Sequence, residues 1–385
     1  MKTRSVYMDN NATTAMAPEV IKALHEAENI YGNASSMHSF GRQAAALIKS
    51  SRISVAQLLG CNESEVLFNS GATESNNAVF NIARRLIESG KGKKIVTTSI
   101  EHPAIIETVK YLRSEGIAVD VCPVDSEGRV KISELEKLVT DDTVLVSVMM
   151  GNNESGAIQD IDSACRIAHR HHALFHTDAT QAVGKMTIDF NRGGFDYMSL
   201  SAHKFYGPKG VGALIVRTGA PLDALLHGGH QENGIRPGTY NTQAIYGMGV
   251  AASLAAADLD DEIRRLWEMR EALRKGILER IDDVVVNGSQ EHCLPGTLDV
   301  SFPRAEGESI LLMLDMKGVA VSTGSACATG SLEPSYVLMA TGMNVELAHG
   351  SIRFSLGRYN SMDDVKYVLD VLPPIIKTLR EMSTR

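Results

Sequence analysis

The chain has 385 residues, with 38 Lys and Arg against 46 Asp and Glu, for a formal charge of −8. The length predicts two domains, or one large and one small, and the 44% hydrophobic and 22% charged content is ordinary for a globular protein, enough chain to bury a core without disulfide staples. The acidic balance excludes a general nucleic-acid or anionic-membrane binder, and no apolar run nears the roughly 20 residues that a membrane-crossing helix needs.

Between about residues 60 and 217, short β-rich runs alternate with helical patterns. Strands are predicted at 66–69, 94–99, 118–124, 143–149, 173–177, 197–201 and 212–216. Helices are predicted at 74–89, 103–115, 133–138 and 160–172, with Ser133 and Glu136 as a capping box for the third. This alternation predicts an α/β domain with a mainly parallel sheet flanked by helices. A long helix follows from Thr242 to about Arg280, then strands at 283–286, 297–302, 320–322 and 351–355, a helix near 308–316 and a closing helix after Met362. That part reads as a smaller α+β domain. The expected division is an N-terminal segment, 1–14, packing with the small domain, a large domain over 15–256, and a small domain over 257–385.

Five widely spaced cysteines, Cys61, Cys122, Cys165, Cys293 and Cys327, form neither a C-x-x-C pair nor a disulfide framework. Asp9 arrives before a hydrophobic signal core can form, so a reduced, cytoplasmic protein is expected. The run His169-Arg170-His171-His172 reads as a solvated helix end complementing the helix dipole, not as a metal site.

Ligands of open α/β sheets bind beyond the carboxyl ends of the strands, so the polar residues just past each strand carry the functional argument. After the 66–69 run comes Ser70-Gly71-Ala72-Thr73-Glu74-Ser75-Asn76, a small-residue turn opening a helix; it suits a phosphate, and equally a plain capped turn. Past the next strands lie His102, then Gly151-Asn152-Asn153-Glu154, then His176-Thr177-Asp178-Ala179-Thr180-Gln181, and finally Ser201-Ala202-His203-Lys204. A lone histidine there is an ordinary structural residue, and a lone lysine an ordinary surface one. Together, a phosphate cradle, an acid, a histidine and a lysine at the strand ends of one sheet match what pyridoxal phosphate requires. Its phosphate needs N–H and hydroxyl donors, its aldehyde an amine, and its pyridine nitrogen a carboxylate.

Those motifs, with Asp9-Asn10-Asn11-Ala12-Thr13-Thr14, Tyr31-Gly32-Asn33-Ala34-Ser35-Ser36-Met37-His38 and Ser322-Thr323-Gly324-Ser325-Ala326-Cys327, resemble the cysteine desulfurases. These belong to the class V aminotransferase-like group of fold-type I pyridoxal-phosphate enzymes, and the matches run in order from residue 7 to about 360. The resemblance implies pyridoxal 5′-phosphate as cofactor and L-cysteine as substrate. Lys204 would be the amine that takes the cofactor aldehyde, Asp178 the partner of the pyridine nitrogen, and Gln181 a donor to the ring hydroxyl oxygen. His102 would stack on the ring and move protons, including that of a thiol. Ala72, Thr73, Ser201 and His203 would cradle the phosphate, with Asn153 a further cofactor contact. Thr239 would reach the phosphate of a second subunit, which implies a homodimer. Arg353, with Asn33 nearby, would clamp the substrate carboxylate.

Cys327 decides the type. It sits among Gly324, Ser325, Ala326, Ala328, Thr329 and Gly330, a composition expected of a mobile loop, whereas Cys61, Cys122 and Cys165 are expected to be buried and structural. The resemblance makes Cys327 the nucleophile that takes sulfur as a persulfide and leaves L-alanine. It implies hand-over to an iron–sulfur scaffold or another sulfur-acceptor protein, with tRNA thiolation and nitrogenase maturation open as destinations. A selenocysteine lyase, a cysteine lyase, an aminotransferase and a cofactor-free scaffold share the fold. An aminotransferase leaves Cys327 without a role.

Overall fold

The computed structural model describes residues 4–323 and 333–383. In chain order the elements are β1 (Val6–Tyr7), α1 (Pro18–Ala27), α2 (Ser39–Leu59), β2 (Val66–Asn69), α3 (Ala72–Glu88), β3 (Lys94–Thr98), α4 (Pro103–Ser114), β4 (Ala118–Cys122) and α5 (Ile132–Leu138). Next come β5 (Thr143–Ser147), α6 (Ile161–Arg170), β6 (Leu174–Asp178), α7 (Phe190–Gly193), β7 (Tyr197–Ser201), β8 (Gly212–Val216) and the 39-residue helix α8 (Thr242–Arg280). The chain closes with β9 (Val285–Asn287), β10 (Thr297–Ser301), α9 (Gly307–Asp315), β11 (Val319–Ala320), α10 (Tyr336–Ala340), α11 (Val345–His349), β12 (Ser351–Ser355) and α12 (Met362–Ser383).

Seven strands form one sheet in the order β2-β8-β7-β6-β5-β3-β4. The five strands from β7 across to β4 run parallel, and β8 runs against both of its neighbours. The reversal has a simple cause: the link from Ser201 to Gly212 is too short to hold a crossover helix, so the chain must turn back. Central strands such as Thr143–Ser147 and Tyr197–Ser201 are buried along their whole length, because helices cover both faces of the sheet and leave no alternation of polar residues.

A second core lies around the antiparallel sheet β12-β10-β9, with β1 pairing in parallel to β11 beside it. The long helix serves both cores: Ala244 to Ala252 pack in the first, and Leu266 to Ile277 in the second. Its first half lies so close to α2 that a Cβ at Gly249 would sit 2.5 Å from Ser51 Cα, so only glycine permits this contact.

Three details differ from the sequence expectation. The alternation does not anticipate α1 and α2, which together supply 31 residues ahead of the sheet. The capping box at Ser133 and Glu136 does not form: α5 starts one residue earlier, with Lys131 at its N-cap and no side-chain cap. The capping box that does form joins Asn62 and Glu65, where the Asn62 backbone N–H donates to Glu65 Oε2 at 2.9 Å. At the end of α6, His169 pairs with Asp196 at 2.9 Å, Arg170 with Glu136 and His171 with Asp141. These are ion pairs of a solvated helix terminus, and Asp196 holds His169 well above the usual imidazole range, at about 10.

Candidate active site

The carboxyl ends of β2, β3, β5, β6 and β7 open on one side of the sheet, and a cavity of about 770 Å³ lies there. Its floor is the turn between β2 and α3. Asn69 Oδ1 accepts from Gly71 N at 3.0 Å, and Ser201 Oγ, from the end of β7, accepts from Ala72 N at 3.4 Å. Gly71 has φ +147°, and a Cβ there would stand 3.0 Å from Ser201 Oγ, so the glycine both makes the turn and keeps the cradle open. Ala72 and Thr73, in the first turn of α3, line the cavity, where a helix N-terminus offers N–H groups to an anion. Behind it, Arg236 grips Glu74 with two bonds of 2.8 and 3.1 Å, which neutralises an acid that would repel a phosphate.

Asp178 ends β6 and is 4% exposed. Its Oδ2 accepts from Asn76 Nδ2 at 2.7 Å and its Oδ1 from Thr180 N at 3.0 Å. Lys204 closes a single turn after β7, with Nζ donating to Asn11 O at 2.6 Å and Ala12 O at 2.8 Å. His203 shares a bond of 3.1 Å with Thr13 Oγ1, and burial, with the Lys204 charge next, pulls it down to about 4, so it is neutral at physiological pH. Gln181 Nε2 donates to Asn11 O at 2.9 Å.

His102 is the N-cap of α4, its Nδ1 accepting from Ala104 N at 3.1 Å. Burial pulls its pKa down, against the pull of Asp178. A neutral imidazole whose Nδ1 accepts an amide must carry its proton on Nε2. His102 therefore offers the cavity a donor. To act as a base through Nδ1 it would first have to release the Ala104 amide.

Arg353, on β12, stands on the far wall with its side chain buried. One terminal nitrogen donates to Asn153 O at 3.0 Å, the other pairs with Asp9 Oδ1 at 2.8 Å, and Nε has no partner among the described residues. Asn153 Oδ1 and Thr180 Oγ1 are likewise buried without a described partner. Burial pushes the neighbouring acids up, Glu154 to about 8 and Asp299 to about 6, so Glu154 does not cancel the guanidinium charge at neutral pH.

The cavity thus brings together Ala72, Thr73, His102, Asn153, Asp178, Gln181, Ser201, His203, Lys204 and Arg353. Two expected residues stand elsewhere. Thr239 is exposed and outside this chain's cavity. Asn33 does not line this chain's cavity: it is exposed, with its Oδ1 accepting from Ser35 N at 2.9 Å. Cys327 lies outside the described residues. The described chain stops at Thr323 and resumes at Glu333. Ser322 and Arg353 exchange backbone bonds of 3.2 and 2.7 Å, and Ser335 Oγ bonds Glu154 while Tyr336 OH donates to Glu101 O at 2.5 Å.

The sequence reading assigned no role to Asp9, Asn11 or Lys185. Asp9 and Asn11 stand in a quoted motif, but only the long-range pairing of the N-terminal segment reveals what they touch. Lys185 carried no signal beyond its spacing of four from Gln181.

The donor set fits pyridoxal phosphate: an N–H cradle held open by Gly71, a buried carboxylate at Asp178, and an amine at Lys204 between them and Arg353. The comparisons agree. Residues 6–368 match the family described as Aminotransferase class-V. A protein named cysteine desulfurase IscS from Dictyoglomus turgidum is 47% identical over 99% of this chain and 96% of its own length. The protein of the same name from Methanosarcina thermophila is 45% identical over 99% of this chain and 94% of its own. Among solved structures, a NifS-like protein superposes with a TM-score of 0.90 at 38% identity, covering 99% of this chain and 100% of that one. A NifS-like protein from Rickettsia africae gives 0.88 at 30% identity, covering 97% and 100%.

Proposed function

This chain belongs to the class-V aminotransferase family of pyridoxal-phosphate enzymes, and from that premise we propose that it is a cysteine desulfurase whose sulfur-accepting nucleophile is Cys327. The observation that carries the reading is the meeting, in one cavity, of Lys204, Asp178 and the Gly71–Thr73 cradle with a buried Arg353 across from them. Relatives bearing the name cysteine desulfurase match the chain nearly end to end, and a solved relative described as SspA in complex with cysteine shares the fold at a TM-score of 0.82 and 32% identity.

Bound pyridoxal phosphate supplies an aldehyde that captures the substrate amine and a ring that absorbs charge from Cα. The chain's own groups do the rest. Ala72, Thr73, Ser201 and His203 would hold the phosphate, Asp178 would pair with the pyridine nitrogen, and Gln181 and Asn153 would add polar contacts. Arg353 holds the carboxylate of L-cysteine through a planar fork suited to that anion. Lys204 Nζ would hold the cofactor aldehyde and, when free, would take the Cα proton of the substrate. The Cys327 thiolate would attack the substrate sulfur. As the C–S bond breaks, the sulfur joins Cys327 as a persulfide and Lys204 gives back the proton taken from Cα. The proton that Cys327 lost on ionising reaches Cβ through solvent to give L-alanine, while neutral His102 keeps its Nε2 proton as a hydrogen-bond donor. The balance is L-cysteine plus a thiol giving L-alanine plus a persulfide.

We further assign the protein to a homodimer in which Thr239 reaches the partner's phosphate site, with an iron–sulfur scaffold or another sulfur carrier as acceptor. Among the described residues no helix is long and apolar enough to cross a membrane.

The test is to load the protein with pyridoxal phosphate, add sulfur-labelled L-cysteine without reductant, and map the label by proteolysis. Label on the Cys327 peptide, removable by a reducing thiol, is expected. Label on Cys61, Cys122, Cys165 or Cys293 instead contradicts the assignment.

A further inference from the structure

We propose that Lys185 is a positioning residue that fixes the Gln181 amide with an N–H turned to the cofactor cavity. Lys185 does not line that cavity. The chain after β6 rolls through successive tight turns, with Val183 N bonded to Ala179 O and Lys185 N to Ala182 O. Four residues of such a path bring Lys185 Nζ onto the Gln181 side chain, at 2.8 Å from Oε1.

The argument is one of donors and acceptors. Lys185 Nζ lies against two side-chain oxygens, Gln181 Oε1 and Asn11 Oδ1, and as an ammonium it has only hydrogens to offer, so the Gln181 atom facing it is the oxygen. The nitrogen then lies on the other side, where one N–H goes to Asn11 O at 2.9 Å and the second is left for the cavity. Asn11 is ordered in the same way. Its Nδ2 donates to Asn153 O at 3.1 Å and to Thr297 Oγ1 at 2.9 Å, which leaves Oδ1 to accept from Lys185 at 3.2 Å. Asn11 O also accepts from Lys204 at 2.6 Å. One lysine that touches no ligand thus orders two side chains around the reactive amine. Burial, with the charges of Lys204 and Arg353 next, brings Lys185 down to about 7, and a neutral amine still has hydrogens for both oxygens. Without Lys185, Gln181 Oε1 becomes a buried acceptor with no partner, and the amide must admit water or turn its oxygen to the cavity.

The inference rests on the reading of the cavity as a pyridoxal-phosphate site. The test titrates apoprotein of the natural sequence, Lys185→Met, Gln181→Leu and the double variant with pyridoxal phosphate. The readouts are the dissociation constant and the pH midpoint of the visible band. Lys185→Met is expected to weaken binding about tenfold and to move the midpoint in the same direction as Gln181→Leu. The double variant should lie within about twofold of Gln181→Leu alone, since the two act as one unit. Lys185→Gln keeps an N–H donor and should restore the natural midpoint; where Lys185→Met fails to fold, this variant decides, and a shifted midpoint overturns the proposal. Additive losses in the double variant, or an unmoved midpoint in Lys185→Met, also overturn it. If the natural protein takes up no pyridoxal phosphate, the cavity reading fails as well, whereas normal uptake with a silent Lys185→Met defeats this proposal alone.

Discussion

Lys204→Ala is expected to abolish the visible band of the pyridoxal-phosphate-loaded protein and to lower turnover of L-cysteine by about 10³-fold or more. The size follows from two losses at one atom. In the proposed mechanism Nζ both captures the cofactor aldehyde and takes the Cα proton, so neither covalent catalysis nor base catalysis would survive. Other lysines are poorly placed to substitute. Lys185 lies outside the cavity lining, bonded to Gln181 and Asn11. Lys209 lines the cavity but is exposed at its rim and follows the Gly207-Pro208 turn. The phosphate cradle is untouched by the change, so the variant should still bind pyridoxal phosphate reversibly. Absorbance spectroscopy and equilibrium dialysis check both halves, and a retained covalent band would mean that another amine holds the cofactor.

Cys327→Ser should behave in the opposite sense: a normal visible band, normal cofactor affinity, and loss of sulfur transfer by about 10³-fold or more. A serine hydroxyl cannot accept sulfur as a persulfide. The remaining thiols do not replace it, for physical reasons visible in the fold. Burial pushes Cys61 and Cys122 up to about 12 and raises Cys293 as well, so none of these is a thiolate at neutral pH. Cys165 is buried on the core side of α6. On either side of the Cys327 segment, Ser322 is bonded to Arg353 at the cavity wall and Ser335 to buried Glu154. Sulfide release by Cys327→Ser at the natural rate would remove Cys327 from the mechanism.

What could be read from the sequence follows the range of each interaction. Strands β2, β7, β8 and β12 fall at the expected residues, since a β-rich run bounded by Gly, Ser or Asn is a local signal. The polar residues just past β2, β3, β5, β6 and β7 fall in the cavity, because the parallel order brings those strand ends to one side of the sheet. Helices α1 and α2 escaped the alternation argument: they precede the strands, and α2 is held by its contact with α8, about 200 residues later in the chain, an interaction no window of sequence contains. The sequence assigns α5 the wrong cap, because Ser133 and Glu136 have the right spacing but Ser133 is already the second residue of the helix, two positions past the Lys131 N-cap. Asp9 pairs with Arg353 across 344 positions, through the parallel bridge that sets Asp9 against Ser355, and only the folded chain shows it. The His102 tautomer belongs to the same class: a histidine at a strand end is legible, but which nitrogen keeps the proton depends on the Ala104 amide.

The most direct measurement of the central claim is anaerobic turnover of L-cysteine by cofactor-loaded protein with a reducing thiol present, counting L-alanine, sulfide and pyruvate in the same sample. Equal amounts of L-alanine and sulfide, with no pyruvate, are the predicted result. Pyruvate in step with sulfide would show elimination in place of sulfur transfer, and would contradict the account.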